Sequence, residues 1–281
     1  MDPTTPSRTA ARVAVHRAKH QLLDQPKVFD DPLAFAVLDA KTCDEIRRAA
    51  ADSDDIGSRA LRAFVTVRSR HAEDQLAHAV ERGVRQYVLL GAGFDTFAYR
   101  NPHPNLRVFE VDHPATQASK RAVLHGSGVT VPPSVRFAPV DFERESFTDG
   151  LRRAGFEPSA PAFFSWLGVT PYLEPATTRR TLGLIGSLPG GSGVTFDYAL
   201  ERDLLSAAEQ AGLDILAARV AAAGEPFRGF FRPDALADAL RTSGFSRLED
   251  LDRSALNERY FRSRSDGLSL RGSAHLMTAW V

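Results

Sequence analysis

The residues best placed to do chemistry lie between Gln86 and Asp112. Tyr87-Val-Leu-Leu90, led in by Val84, is apolar enough for a buried parallel strand, and it runs straight into Gly91-Ala92-Gly93. A strand ending in such a turn brings bare backbone close to a ligand. About twenty residues on, Arg107-Val-Phe-Glu110-Val-Asp112 reads as a second strand ending in acids, where an open α/β sheet binds ribose hydroxyls. The dinucleotide fingerprint requires a third glycine so that a helix N-terminus can receive the pyrophosphate, and Thr96 stands in its place. S-adenosylmethionine has a ribose and an adenine but no phosphate, so the pattern favours it over a nicotinamide dinucleotide. Asp95 argues the same way, because its carboxylate would repel a pyrophosphate yet could accept from the cofactor's ammonium or from water around it.

Other candidates sit where ligands of such sheets bind. Arg68 and Arg70 lie on the helix feeding the first strand, and either guanidinium suits bidentate capture of the cofactor carboxylate; Arg70 can equally pair with Asp74 at i, i+4. Asp141 ends the third strand, in position to accept from the adenine amine or to cap the next helix. Methyl transfer is an in-line displacement at a carbon already activated by sulfonium, so alignment and exclusion of water are the main demands. A carboxylate acceptor needs no general base. Its charge should meet cations or hydroxyls, and Arg17, His20, Gln21, Tyr172, Tyr198, Tyr260 and Arg264 form the candidate pool. For a phenol or alcohol acceptor, His20 is the first choice of base, with Tyr172 and Tyr198 as further catalytic candidates.

These residues need elements to carry them. The spacing predicts a helix from Thr9 to about Asp24 capped by Thr9, a second over Asp30 to Leu38 with Pro32 in its first turn, and a long one from about Ser58 to Glu81. Strands are predicted at Ser134–Asp141, Ala160–Gly168, Gly193–Tyr198, Gly244–Asp250 and Ser273–Trp280, besides the two already described. Residues 200 to 243 read as helices. Seven strands alternating with helices make a doubly wound, Rossmann-like α/β sheet, preceded by a helical extension over residues 1–82 and itself spanning 83–281.

Composition sets the outer bounds. Lysine plus arginine, 35, equals aspartate plus glutamate, 35, which removes the global field that would draw in nucleic acid or an anionic membrane. Cys43 is the single cysteine, no apolar run approaches a membrane span, and the polar start lacks a signal-peptide core. A small-molecule acceptor, a cytoplasmic setting and no bound metal are expected; oligomeric state is open.

Leu90-Gly-Ala-Gly-Phe-Asp-Thr96, Phe109-Glu-Val-Asp-His-Pro114, Asp141-Phe142 and Asp30-Asp-Pro-Leu-Ala34 together resemble the leucine carboxyl methyltransferase family, most closely its bacterial S-adenosylmethionine-dependent branch, over nearly the whole chain. The resemblance implies a seven-stranded class I methyltransferase sheet with its N-terminal helices lying over the active site. It also implies that Arg68 or Arg70 binds the methionine carboxylate, and that Gly91 with its loop partners Ala92 and Gly93, Asp112, Asp141 and Phe142 hold the cofactor. Eukaryotic members carry a glutamate where Leu167 stands, so the phosphatase substrate does not transfer and a bacterial small molecule is favoured. The rival readings are a protein that binds S-adenosylmethionine without methyl transfer and a nicotinamide oxidoreductase. The second is disfavoured by Thr96 and by the lack of a Tyr-x-x-x-Lys or His-Asp pair. A nucleic-acid methyltransferase lacks its Asn-Pro-Pro-Tyr-like segment.

Overall fold

Alternate side chains of the central strand enter two different cores. Val88 and Leu90 face one layer with Phe109, Val111, Phe164 and Phe196, while Tyr87 and Leu89 face the other with Val108 and Phe163. This is why the strand reads as one continuous apolar run. The computed structural model describes residues 7–49, 55–141 and 146–281.

In chain order, α1 (Arg8–Leu23), α2 (Ala40–Ala49) and α3 (Ile56–Glu81) precede β1 (Gln86–Leu90). The short α4 (Phe97–Arg100) leads to β2 (Arg107–Asp112), α5 (Pro114–Gly126), β3 (Val135–Pro139), α6 (Phe147–Arg153) and β4 (Phe163–Trp166). A 3-10 turn at Thr170–Tyr172 follows, then α7 (Pro175–Gly186), β5 (Gly193–Leu200), α8 (Ala207–Ala222) and β6 (Phe230–Phe231). The chain closes with α9 (Pro233–Thr242), β7 (Arg247–Leu251), α10 (Arg253–Tyr260) and β8 (His275–Trp280).

The strands run β3-β2-β1-β4-β5-β8-β7, parallel except for β8, which is antiparallel to both β5 and β7. The order reverses between β1 and β4, so a crevice opens beyond their carboxyl ends. Phe109, Phe163, Phe164, Trp166 and Phe196 are each no more than 1% exposed, and burying each such ring stabilises the fold by roughly 1.5–3 kcal/mol. No helix among the described residues is long and apolar enough to cross a membrane.

Several expectations are corrected. The segment from Asp31 to Leu38 forms successive turns rather than a helix, with Ala34, Ala36 and Leu38 N–H groups bonded three residues back to Asp31, Leu33 and Phe35. The Asp31 carboxylate accepts from Leu33 N–H at 3.1 Å, which fixes a turn, and the helix forms later as α2. Ser7, not Thr9, caps α1, accepting from Ala10 N–H at 3.1 Å. An eighth strand, β6, is added to the seven expected; it extends β5 through Ala199 and Leu200, and its two residues are too few to leave a periodic signal. Leu76 and Ala79 of α3 share a core with Tyr87 and Leu89 of β1, so the helical extension packs directly on the sheet.

Candidate active site

The turns leaving β1 and β4 meet at the reversal point. Gly91 has φ +69°, and a Cβ there would lie 2.5 Å from Val169 Cγ2, so only glycine lets the two turns pass. The N–H groups of Gly91 and Ala92 donate to Val111 C=O at 2.8 and 3.1 Å, latching the turn to the end of β2. Gly93 N–H donates to Asp112 Oδ2 at 2.5 Å, and His113 N–H to Asp112 Oδ1 at 2.6 Å. Burial pushes the Asp112 carboxyl up, and these two N–H groups pull it back. Each oxygen keeps a lone pair that a hydroxyl could meet. Glu110, the other acid of β2, is fully buried: it accepts from Lys120 Nζ at 2.7 Å and Tyr99 Oη at 3.1 Å, leaving Asp112 alone at the strand tip.

Across the crevice, Gly168 presses on an arginine. A Cβ on Gly168, which has φ +71°, would lie 2.6 Å from Arg68 Nη2. Arg68 Nη1 donates to Asp197 Oδ2 at 3.1 Å, and the second oxygen of Asp197 accepts from Gly168 N–H at 2.6 Å. Arg68 and Asp197 are 7% and 3% exposed, so α3 delivers a nearly buried guanidinium to the tips of β4 and β5. The Tyr172 ring packs against Phe227 at 5.2 Å between centroids. Burial holds its phenol up at about 12 against the pull of Arg68, with the Thr9 hydroxyl as a hydrogen-bond neighbour, so Tyr172 is a donor near neutral pH and not a base.

Helix α1 lies over these groups. A Cβ on Gly93 would sit 3.2 Å from Ala10 Cβ. Ser7 pins the start of α1, its N–H donating to Thr116 Oγ1 at 3.2 Å and its Oγ to Glu225 Oε1 at 2.9 Å.

The crevice therefore gathers Gly91, Ala92, Gly93, Asp112, Arg68 and Tyr172. Asp141 follows β3 beside them, its neighbour Val140 donating to Asp112 C=O at 2.9 Å; Phe142 lies outside the described residues. Arg70 is separated from Arg68, half exposed on the outside of α3 with Nε on Asp74 Oδ1 at 2.8 Å.

The remaining acceptor and base candidates are given other partners. His20 is fully buried, with Nδ1 on Asp24 at 2.7 Å and Nε2 accepting from Val28 and Phe29 N–H at 3.0 and 3.2 Å; no ring nitrogen is left for a substrate. Arg17 donates to Asp31 at 2.5 Å, Thr96 at 2.8 Å and Asp95 at 3.2 Å, and these carboxylates hold its charge up against the cost of burial. Gln21 bonds to Arg17 C=O, Phe29 C=O and Asp31 N–H. Tyr198 donates to Asp250 at 2.6 Å, Tyr260 meets His71 and Asp74, and Arg264 is held by Asp266 and Pro26 C=O. Each of these six is bonded to other groups of the protein. Asp95 braces the glycine turn, its Oδ1 accepting from Phe97 N–H at 2.8 Å and its Oδ2 from Arg17 at 3.2 Å.

Sequence reasoning missed Gly168 and the first turns of α1. The signal for Gly168 was a glycine directly after an apolar strand, the same feature that revealed Gly91. Ala10 and Thr9 carried none, because proximity to Gly93 and Tyr172 is tertiary.

A parallel sheet reversed at β1/β4, a glycine turn with no phosphate cradle and an acid at the tip of β2 define an S-adenosylmethionine-dependent methyltransferase. The chain belongs to the leucine carboxyl methyltransferase family, whose model matches residues 10–186. It is 31% identical to YktD of Bacillus subtilis, provisionally named an S-adenosyl-L-methionine-dependent methyltransferase, with 97% of each chain covered. A similarly named Mycobacterium tuberculosis protein, Rv3787c, is 34% identical across 64% of this chain and 61% of its own. Among solved structures, a DUF574 family protein from Streptomyces avermitilis has the same fold at TM-score 0.54 and 17% identity, covering 99% of this chain and 98% of that one. Magnesium protoporphyrin IX methyltransferase of Synechocystis, solved with S-adenosylhomocysteine, matches at TM-score 0.50 and 12% identity over 86% of this chain and 94% of its own.

Proposed function

We propose that the protein transfers a methyl group from S-adenosylmethionine to an oxygen of a small metabolite, with a carboxylate as the favoured acceptor and a hydroxyl as the other. The observation that carries this reading is the hydrogen bonding of the crevice: both nitrogens of His20 are bonded within the protein, the Arg68 guanidinium is seated on Asp197, and burial holds the Tyr172 phenol up. A site so furnished suits an acceptor that arrives already ionised. The cofactor supplies a sulfonium-activated methyl when bound. In this assignment Arg68 takes the methionine carboxylate, Gly91, Ala92 and Gly93 let the backbone approach the nucleoside, Asp112 receives the ribose hydroxyls, and Asp141 with Phe142 serves the adenine. Tyr172 orients the acceptor, and α1 over Gly93 excludes water.

The test is transfer of labelled methyl from S-adenosylmethionine to a panel of small carboxylic acids and alcohols. Label that mild alkali releases as methanol is the expected product. Alkali-stable label on an alcohol would move the assignment to hydroxyl acceptors. Cofactor binding with no labelled product would favour a protein that uses the cofactor without transferring its methyl.

A further inference from the structure

Beyond Tyr172, away from the glycine turn, a cleft of about 330 Å³ opens between the first turns of α1 and the end of α8. Its lining carries Arg8, Arg12 and Arg219 together with Thr9, Val220, Ala222 and Ala223. We propose that this cleft binds the end of the acceptor remote from the methylated atom, and that this end is an anionic group, carboxylate or phosphate, on a short apolar body. The inference rests on the methyltransferase reading above and adds to it the chemistry of the substrate's far end.

Three guanidiniums share the cleft, and none of them forms a hydrogen bond or ion pair among the described residues. Other surface arginines are treated differently: Arg202 is held by Asp214, Arg232 by Asp203 and Arg253 by Glu209. Glu225, just after α8, accepts from the Ser7 hydroxyl at 2.9 Å. Like charges gathered without a counter-ion repel, and Arg12 shows it: burial and then the field of Arg219 lower its hold on the proton. An anion bridging Arg12 and Arg219 would relieve the repulsion with charge-assisted hydrogen bonds. Thr9, which lines the cleft and stands beside Tyr172, connects it to the crevice. Little of α8 is committed to the core, with Val220 its one buried residue, so this wall can adjust to the length of the guest.

The experiment is calorimetric titration of the full chain, saturated with S-adenosylhomocysteine, using octanoate and octyl phosphate as anionic probes and octylamine as the cationic one. Binding of an anionic probe and not of octylamine is expected, and a preference for one anion names the acceptor's charged group. Arg12→Gln and Arg219→Gln should each weaken the anionic probe about tenfold, the loss of one charge-assisted contact, while leaving S-adenosylhomocysteine affinity and thermal midpoint unchanged. Full S-adenosylhomocysteine binding with no anionic probe bound, equal binding of octylamine, or unchanged probe affinity in both variants would overturn the proposal by itself. Failure to bind S-adenosylhomocysteine would overturn the methyltransferase reading and this one with it.

Discussion

Asp112 holds two backbone N–H groups with one carboxylate, which makes it a brace for the glycine turn as well as the proposed acceptor for ribose. Asparagine has one acceptor oxygen, so Asp112→Asn must aim an amide N–H₂ at either the Gly93 or the His113 donor. Cofactor affinity measured by calorimetry should drop by about tenfold to a hundredfold, the value of one or two hydrogen bonds to a charged group. An unchanged affinity would remove Asp112 from the ribose site. Arg68 and Arg70 separate by the same reasoning. Arg68→Ala deletes a nearly buried cation and leaves the Asp197 carboxylate without it, whereas Arg70 is a half-exposed surface partner of Asp74. S-adenosylhomocysteine binding should weaken at least tenfold for Arg68→Ala and stay within about 0.5 kcal/mol of wild type for Arg70→Ala. Arg68→Lys should recover part of the loss if charge is what the cofactor carboxylate meets; equal effects of the two alanine variants would dissolve the distinction. From sequence the two arginines were equivalent, because two positions apart on a helix differ only in which face they present, and the neighbouring strands decide that.

Thr96 explains how one position joins an element to the rest. Its hydroxyl donates to the Asp31 carboxylate at 2.8 Å and accepts from Arg17 at 2.8 Å and Arg100 at 3.0 Å; Arg100 goes on to Glu73 of α3. The residue that replaces the third glycine of a dinucleotide turn is therefore the bolt between α1, the turns after it and the sheet. Thr96→Gly would restore the G-x-G-x-x-G spelling, yet it should not create NADH binding, because α4 has only four residues and its Phe97 N–H already meets Asp95. It should instead lower stability by roughly 1–3 kcal/mol by stripping a buried network of its hydroxyl, read as a fall in thermal midpoint. A gain of NADH affinity would sink this account of the turn. The strands and the glycine turn were legible because each is coded locally, as an apolar run closed by glycine or an acid. Residues such as Arg17, His20 and Tyr198 were not: a polar side chain facing a crevice and one facing a buried partner have the same sequence signature, and Asp31, the Val28 and Phe29 N–H groups and Asp250 are brought to them by the fold of the chain. The Asp31 to Leu38 segment was misread for a related reason, since Asp31 spends its carboxylate on Arg17, Thr96 and Leu33 N–H and so favours a turn.

Helix α3 ties the parts of the molecule together, since it touches the site through Arg68, the sheet core through Leu76 and Ala79, and β8, the neighbour of the edge strand, through His71. A fragment beginning at residue 83 would expose the face of β1 that Leu76 and Ala79 cover, and it should not fold on its own. Two histidines lie at the seams of this body. His71 bonds Tyr260 Oη at 2.9 Å and Thr278 Oγ1 at 3.0 Å, and His16 is buried on α1 one turn before His20. Burial depresses both to about 4, so His71 is neutral near pH 7 and its 3.9 Å approach to Glu249 is not an ion pair there. Their ordinary value is 6.5; between that and about 4 the unfolded chain binds more protons than the folded one, so stability is full above pH 6.5 and falls as pH drops through the window. Each histidine can account for a loss on the order of 3 kcal/mol across it. Asp24, held down at about 2 by His20 and Arg62 against the cost of burial, gives way only at lower pH, from its ordinary 3.8 downward, which keeps the two effects apart. Thermal midpoints measured from pH 7 to pH 4 should therefore fall in wild type, and His71→Gln, which can still reach Tyr260 and Thr278, should start lower at pH 7 but fall less steeply. An acid slope in His71→Gln as steep as in wild type would mean that this seam does not take up the proton.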